Sequence, residues 1–169
     1  QQARLARRAS RRLLQALRYT QFSFEGVPVL FANSFPKSGT HLLTQILDGF
    51  TQIGPAVNSG LPAVVTFDGF SGRQRQVSEI LGDLERLLPG DIAYGHVHAF
   101  PENLAYLNQA RFAFYFILRD PRDVVVSHVH YVTEMETNHI HHDYYKNELS
   151  SFDERLSARG PLALQALPL

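Results

Sequence analysis

The stretch from residue 27 to residue 50 constrains the fold of this chain more than any other. Val27, Val29, Leu30 and Phe31 make an apolar run between Gly26 and a polar segment, the pattern of a buried strand. Pro36 and Gly39 punctuate a turn. From Thr40 onward, Leu42, Leu43, Ile46, Leu47 and Phe50 fall at helical spacing. A strand that enters a helix through so tight a turn presents an anion site. The first-turn amides of the helix have no intrahelical partners, and the helix dipole favours negative charge beside them. Lys37 adds a full positive charge, and Ser38 and Thr40 add hydroxyl donors. Lys37 and Lys146 are the only lysines in the chain, so a lysine at this turn is informative.

The turn is not the common nucleotide loop, which places lysine directly after its last glycine. Here Lys37 precedes Gly39, and Ala32 stands where the first glycine would fall. Farther along, residues 91–98 read as a second strand and residues 112–118 as a third. The third is apolar on both faces, which predicts a central place in a parallel sheet. Between these strands, Val77, Ile80, Leu81, Leu84, Leu87 and Leu88 predict an amphipathic helix closed by Pro89 and Gly90. Pro101, Leu104, Ala105 and Leu107 predict a shorter one. Strands alternating with helices predict an α/β domain, a central parallel sheet flanked by helices in three layers with right-handed crossovers. Residues 53–75 read as a long loop containing an apolar patch at 61–67, a segment suited to lining an acceptor pocket together with residues 132–150.

At 169 residues, with 44% hydrophobic and 19% charged residues, the chain can bury one real core. Its formal charge is zero, which argues against nucleic acid as a partner. It has no cysteine, which excludes disulfides, thiolate zinc sites and cysteine nucleophiles and fits a reducing compartment; the expected location is the cytoplasm. No apolar run reaches the length of a membrane span. Residues 1–22 form a basic helical segment before the main domain at 23–169. Six arginines precede the first acidic residue, Glu25, with Leu13 and Leu17 on one helical face. Such a helix can lie on an anionic membrane or RNA. The preferred reading is a leader whose leucines dock on the domain while its arginines stay in water. The apolar run at 160–169 ends without a terminator, and the domain is expected to be incomplete at that end.

A second motif follows the third predicted strand: Arg119-Asp120-Pro121-Arg122-Asp123-Val124, then Ser127. Asp120 suits an N-cap, Pro121 the first helical position, and Asp123 the positive helix end. Capping does not explain Arg119. At the carboxyl end of a strand, its planar fork suits a second phosphate, and Ser127 could reach the same ligand.

Pro36-Lys37-Ser38-Gly39-Thr40 together with this second motif resembles the sulfotransferases that use 3′-phosphoadenosine 5′-phosphosulfate. The resemblance covers residues 27–155 and implies a P-loop NTPase-like fold. It implies that Lys37, Ser38, Gly39 and Thr40 hold the 5′-phosphosulfate of the donor and that His41 and Leu42 also bind it, Leu42 at the position that packs on adenine. Arg119 and Ser127 would hold the 3′-phosphate, with no metal required. His41 and Leu42 differ from the threonine and tryptophan of many cytosolic members. Lys37 is then expected to stabilise the departing phosphate. Gly95-His96-Val97 is similar to the family's base-bearing segment, so His96 is the expected general base and His98, two residues along the same strand, the alternative. The acceptor is a small molecule or a carbohydrate, and the oligomeric state stays open.

His128, His130, His139, His141 and His142 raise the question of a metal. On a helix His128 and His130 point apart, and no H-E-x-x-H spacing occurs, so no metal site is expected. Two other classes compete with the transferase: a P-loop-type small-molecule kinase, and a non-catalytic module that binds nucleotide phosphates.

Overall fold

The computed structural model describes residues 2–69 and 71–158, in two compact units. The first contains residues 2–66 and 75–118; the second contains residues 67–74 and those from 119 onward. The apolar run at 160–169 lies outside the described residues.

The first unit is built on five parallel strands: β1 (Val29–Ser34), β2 (Val57–Asn58), β3 (Val64–Val65), β4 (Asp91–His96) and β5 (Phe112–Ile117). β1 lies between β4 and β5, and β2 and β3 pair one after the other along the far edge of β4. The segment read from sequence as a loop thus contains two short strands. Each is only two residues long, too short for an alternating pattern to register.

Helices cover both faces of the sheet. Leu30, Ala32 and Ile92 point to the face covered by α2 (Thr40–Asp48), where Leu47 and Leu43 pack. Val29, Phe31 and Ala93 point to the other face, against Ile80 and Leu84 of α3 (Val77–Glu85) and Leu107 of α4 (Pro101–Leu107). Every residue of β1 is buried, as a strand covered on both faces requires. The α/β architecture with a flanked parallel sheet therefore agrees with the expectation.

The placement of β5 differs from it. Among the described residues β5 pairs only with β1, so β1 is the interior strand and β5 lies at the end of the order. Tyr115 and Phe116 are exposed in the first unit. Apolar residues on both faces of a strand say nothing about whether its hydrogen-bonding edges are paired, and in β5 only Phe112 is buried.

The basic helix α1 (Gln2–Arg18) also reverses its expectation. Its leucines face outward: Leu13 is 58% exposed and Leu17 57%. Its arginines dock. Asp91, at the start of β4, is fully buried. Its carboxylate accepts hydrogen bonds from Arg8 Nε and Nη2 along one guanidinium edge, from Arg12 Nη1 at 3.2 Å and from the Leu88 amide at 2.9 Å. Arg8 also donates to the Arg86 carbonyl and Arg12 to the Pro89 carbonyl, while Arg12 stacks on Phe24. A buried carboxylate demands paired charge more strongly than a leucine demands cover. Burial pushes the Asp91 carboxyl above its ordinary range, against the pull of Leu88, Arg8 and Arg12.

The second unit contains α5 (Pro121–His130), π-helical turns at Tyr131–Met135 and Tyr144–Glu148, and α6 (Phe152–Ser157). Val129, Val132 and Tyr145 are its buried centre. Asp120 caps α5 by accepting from the Arg122 amide, and Ser151 and Glu154 form a reciprocal capping box on α6.

Arg8→Met leaves the buried carboxylate short of a partner and should cost about 3 kcal/mol in urea unfolding. Leu13→Ser and Leu17→Ser should stay within about 0.5 kcal/mol of the parent. The reverse ranking would mean that α1 docks through its leucines.

Candidate functional site

The carboxyl ends of β1 and β4 bring two of the sequence motifs together in the first unit. β1 and β4 pair with Asn33 opposite Gly95. Beyond that pair, the Asn33 side chain continues the ladder: Nδ2 donates to the Val97 carbonyl and Oδ1 accepts from the Val97 amide, both at 2.8 Å. Gly95 is required here by close approach. A Cβ at this position would lie 2.2 Å from the Val64 carbonyl oxygen and 2.9 Å from the Phe31 ring. The seam fixes His96 beside the end of β1.

His96 Nδ1 lies 2.9 Å from the Ser34 carbonyl oxygen. A carbonyl can only accept, so Nδ1 carries the proton and Nε2 keeps its lone pair. Ser34 Oγ is 2.5 Å from Thr40 Oγ1 and 3.4 Å from His96 Nδ1, which ties the histidine to the first residue of α2. Burial lowers the His96 pKa from the ordinary 6.5, and nearby His41 lowers it further against the Ser34 hydrogen bond. The imidazole is therefore neutral at pH 7.

The turn between β1 and α2 closes with the Ser38 amide donating to the Phe35 carbonyl at 3.1 Å. Pro36 occupies its second position and Lys37 its third, with φ +68°. Glycine or asparagine ordinarily fills that place, since a Cβ there costs about 1 kcal/mol. A lysine held in this conformation is a strained choice, and strained choices cluster at functional sites. Gly39 follows with φ +108° as the N-cap of α2, and no side chain caps the first-turn amides. A Cβ on Gly39 would lie 3.1 Å from Ile117 of β5. Ser38 and Thr40 are buried, and the Thr40 hydroxyl is engaged with Ser34. The half-buried Lys37 and the backbone amides are thus the groups of the turn whose chemistry suits an anion. His41 and Leu42 are exposed on the first turn of α2, Leu42 by 56%.

His98 is held differently. Its amide donates to Thr66 Oγ1 at 2.9 Å, and its carbonyl accepts from Asn103 Nδ2 at 3.0 Å. Burial and the neighbouring His96 lower its pKa. Sequence reasoning missed Asn33, Ser34, Thr66 and Asn103. Polar residues directly after an apolar strand were a usable signal for the first two; Thr66 and Asn103 matter only through partners distant in sequence.

Arg119 and Ser127 belong to the second unit. Arg119 Nε lies 3.8 Å from Asp123 Oδ2, and Ser127 is half-buried in α5. In the same unit His128, His139 and His141 form a ring cluster with Tyr131 and Tyr145, with centroids 5.3 to 6.4 Å apart. His142 Nδ1 donates to the Val132 carbonyl at 2.6 Å. Burial lowers the pKa of His139 and of His141. Among the described residues no three histidine or carboxylate side chains are grouped to hold a metal ion, and no helix is long and apolar enough to cross a membrane.

No known protein family, curated protein or solved structure matches this chain.

Two outcomes test this geometry. Lys37→Gly should leave stability unchanged or raise it by about 1 kcal/mol, whereas Lys37→Val should lower it by more than about 1 kcal/mol. Equal losses in the two variants would remove the strained turn. The second outcome concerns pH. His96, His98, His139 and His141 have lowered pKa values in the folded protein, so the unfolded chain binds more protons below 6.5. Their contribution to stability is complete above 6.5 and is lost as pH falls through 6.5 toward the folded values. Urea midpoints measured from pH 7.5 to pH 5 should decline, and His139→Phe should flatten the decline.

Proposed function

We propose that the chain transfers a sulfuryl group from 3′-phosphoadenosine 5′-phosphosulfate to an acceptor hydroxyl or amine. The observation that carries the reading is the pairing of a strained, lysine-bearing turn with a neutral histidine whose Nε2 lone pair is left for a substrate proton. The residues suit the donor. A helix start with no side-chain cap, a lysine and backbone amides together form a binding site for phosphate and sulfate oxygens. The donor supplies an activated sulfuryl group, whose bond to the bridging phosphate oxygen breaks as the acceptor oxygen or nitrogen bonds to sulfur.

The chain's own part is positioning and charge stabilisation. His96 Nε2 takes the acceptor's proton, while the Ser34 carbonyl holds the tautomer and stabilises the imidazolium as it forms. Lys37 and the first-turn amides of α2 stabilise negative charge on the phosphate oxygen that departs. On this reading the flanked parallel sheet is a P-loop NTPase-like fold, the location is the cytoplasm, and no metal takes part in transfer. His96 is preferred to His98 because its ring hydrogen-bonds to the residue that leads into the lysine turn.

Isothermal titration tests the reading. Tight binding of 3′,5′-adenosine bisphosphate in the absence of magnesium supports it. Magnesium-dependent ATP binding with indifference to the bisphosphate would favour a kinase, and bisphosphate binding with no sulfate transfer would favour a binding module. His96→Asn should lower kcat about 10²-fold or more and leave bisphosphate affinity nearly intact. Lys37→Gly should lower kcat by a similar factor while the fold stays intact. The acid limb of kcat/KM should lie below 6.5, because the base titrates below the ordinary histidine value.

A further inference from the structure

The first unit contains a cavity of about 540 Å³ between α1, the first turns of α2 and the segment that joins β2 to β3. Arg4, Arg7 and Arg11 of α1 line one side; Thr44 of α2, Asn58 of β2 and Tyr94 of β4 are among the residues opposite. Arg11 is fixed in place, with Nη1 donating to the Asn58 carbonyl at 3.1 Å. Arg4 and Arg7 have no hydrogen-bond or ion-pair partner among the described residues, and neither has the Tyr94 hydroxyl. The carboxylates nearby are already engaged. Asp91 is held by Arg8 and Arg12, and Asp48 accepts from Asn58 Nδ2 at 2.8 Å.

Three arginines lining one cavity raise its potential, and low-dielectric concave walls focus it. Nothing in the fold requires Arg4 or Arg7 to be there, unlike Arg8 and Arg12. The volume lies in the range of small-molecule sites and suits a ligand of about disaccharide size. The cavity also adjoins the proposed chemistry. Tyr94 and His96 share one face of β4, one strand repeat apart. Thr44 Oγ1 donates to the Thr40 carbonyl, and Thr40 is hydrogen-bonded to Ser34.

We propose that this cavity binds a small ligand with two or more acidic groups, of the size and hydroxyl content of an acidic disaccharide. Resting on the transfer reading above, that ligand is the acceptor. Arg4 and Arg7 pair with its carboxylate or sulfate groups, and Tyr94 donates its hydroxyl to the sugar. The assignment narrows the acceptor from any hydroxyl compound to an anionic one.

The test is titration of the intact chain with a trisulfated heparin disaccharide, with neutral maltose, and with inorganic sulfate. The disaccharide should bind, maltose should bind at least tenfold more weakly, and affinity should fall as salt is raised. The double variant R4A/R7A should lose about tenfold or more in disaccharide affinity, since each arginine makes a charge-assisted hydrogen bond. Its circular dichroism and bisphosphate affinity should match the parent, because neither side chain has a partner in the fold. Lys37→Gly should leave disaccharide affinity unchanged.

Equal binding of maltose, or full disaccharide affinity in R4A/R7A, would overturn the proposal. Loss of disaccharide binding in Lys37→Gly with retention in R4A/R7A would also overturn it, placing the anion on the lysine turn and leaving the transfer reading untouched. Binding that depends on Arg4 and Arg7 with no sulfate transfer to the disaccharide would overturn its role as acceptor and keep the anion site. Binding of inorganic sulfate alone, without the disaccharide, would mark an adventitious ion only and overturn the assigned ligand class.

Discussion

The parallel seam between β1 and β4 is the constraint on which the first unit's site depends. It places the Ser34 carbonyl against His96 Nδ1 and so decides which imidazole nitrogen keeps a lone pair. Backbone pairing brings Asn33 opposite Gly95, and the Asn33 amide then carries the ladder two residues further. The seam is possible because Gly95 has no Cβ: the Val64 carbonyl and the Phe31 ring occupy the space a side chain would need. A glycine next to a histidine thus follows from the packing of β3 against β4, independently of any reaction. His96 thus sits at a position that the sheet itself makes rigid.

Charge burial organises the edge of the same unit. Asp91 is buried at the start of β4, and α1 exists in its observed orientation because two of its arginines satisfy that carboxylate. Three of the four arginines that remain, Arg4, Arg7 and Arg11, are carried to the side of a cavity by the same helix. One ion-paired contact therefore sets both the attachment of α1 and the place where its unused charge points. The exposed leucines are the geometric consequence: on a helix, a docked stripe of arginines leaves the opposite stripe outward.

Strain at the lysine turn supplies a separate line of reasoning. A glycine at position 37 would build this turn at less cost. The chain instead holds a cationic side chain in the left-handed region, next to a helix start whose N-cap, Gly39, offers no side chain to the first amides. Packing against Ile117 and its φ of +108° account for Gly39, but neither packing nor backbone preference accounts for Lys37. The chemistry of a cation beside uncapped amides suits an anion, unlike the start of α5, where Asp120 already accepts from the Arg122 amide.

Much of this was legible in the chain itself. Periodicity located α2, α3 and α4 and the three longer strands, and the capping residues Asp120 and Pro121 located α5. Residue chemistry located Lys37, because a lysine in a turn is a local fact, and His96 was singled out only through the resemblance of Gly95-His96-Val97 to the sulfotransferases. The edge strands β2 and β3 were not legible, each being too short to carry a pattern. The end position of β5, the inward arginines of α1 and the proton on His96 Nδ1 were not legible either. Each is decided by a partner far away in sequence: β1 for the strand, Asp91 for the arginines, and the Ser34 carbonyl for the imidazole. The sequence by itself determined which segments are helices and long strands and which residues carry charge. Only the tertiary structure decided which of those charges face a buried partner, because pairing energy depends on distance in space and not on distance along the chain.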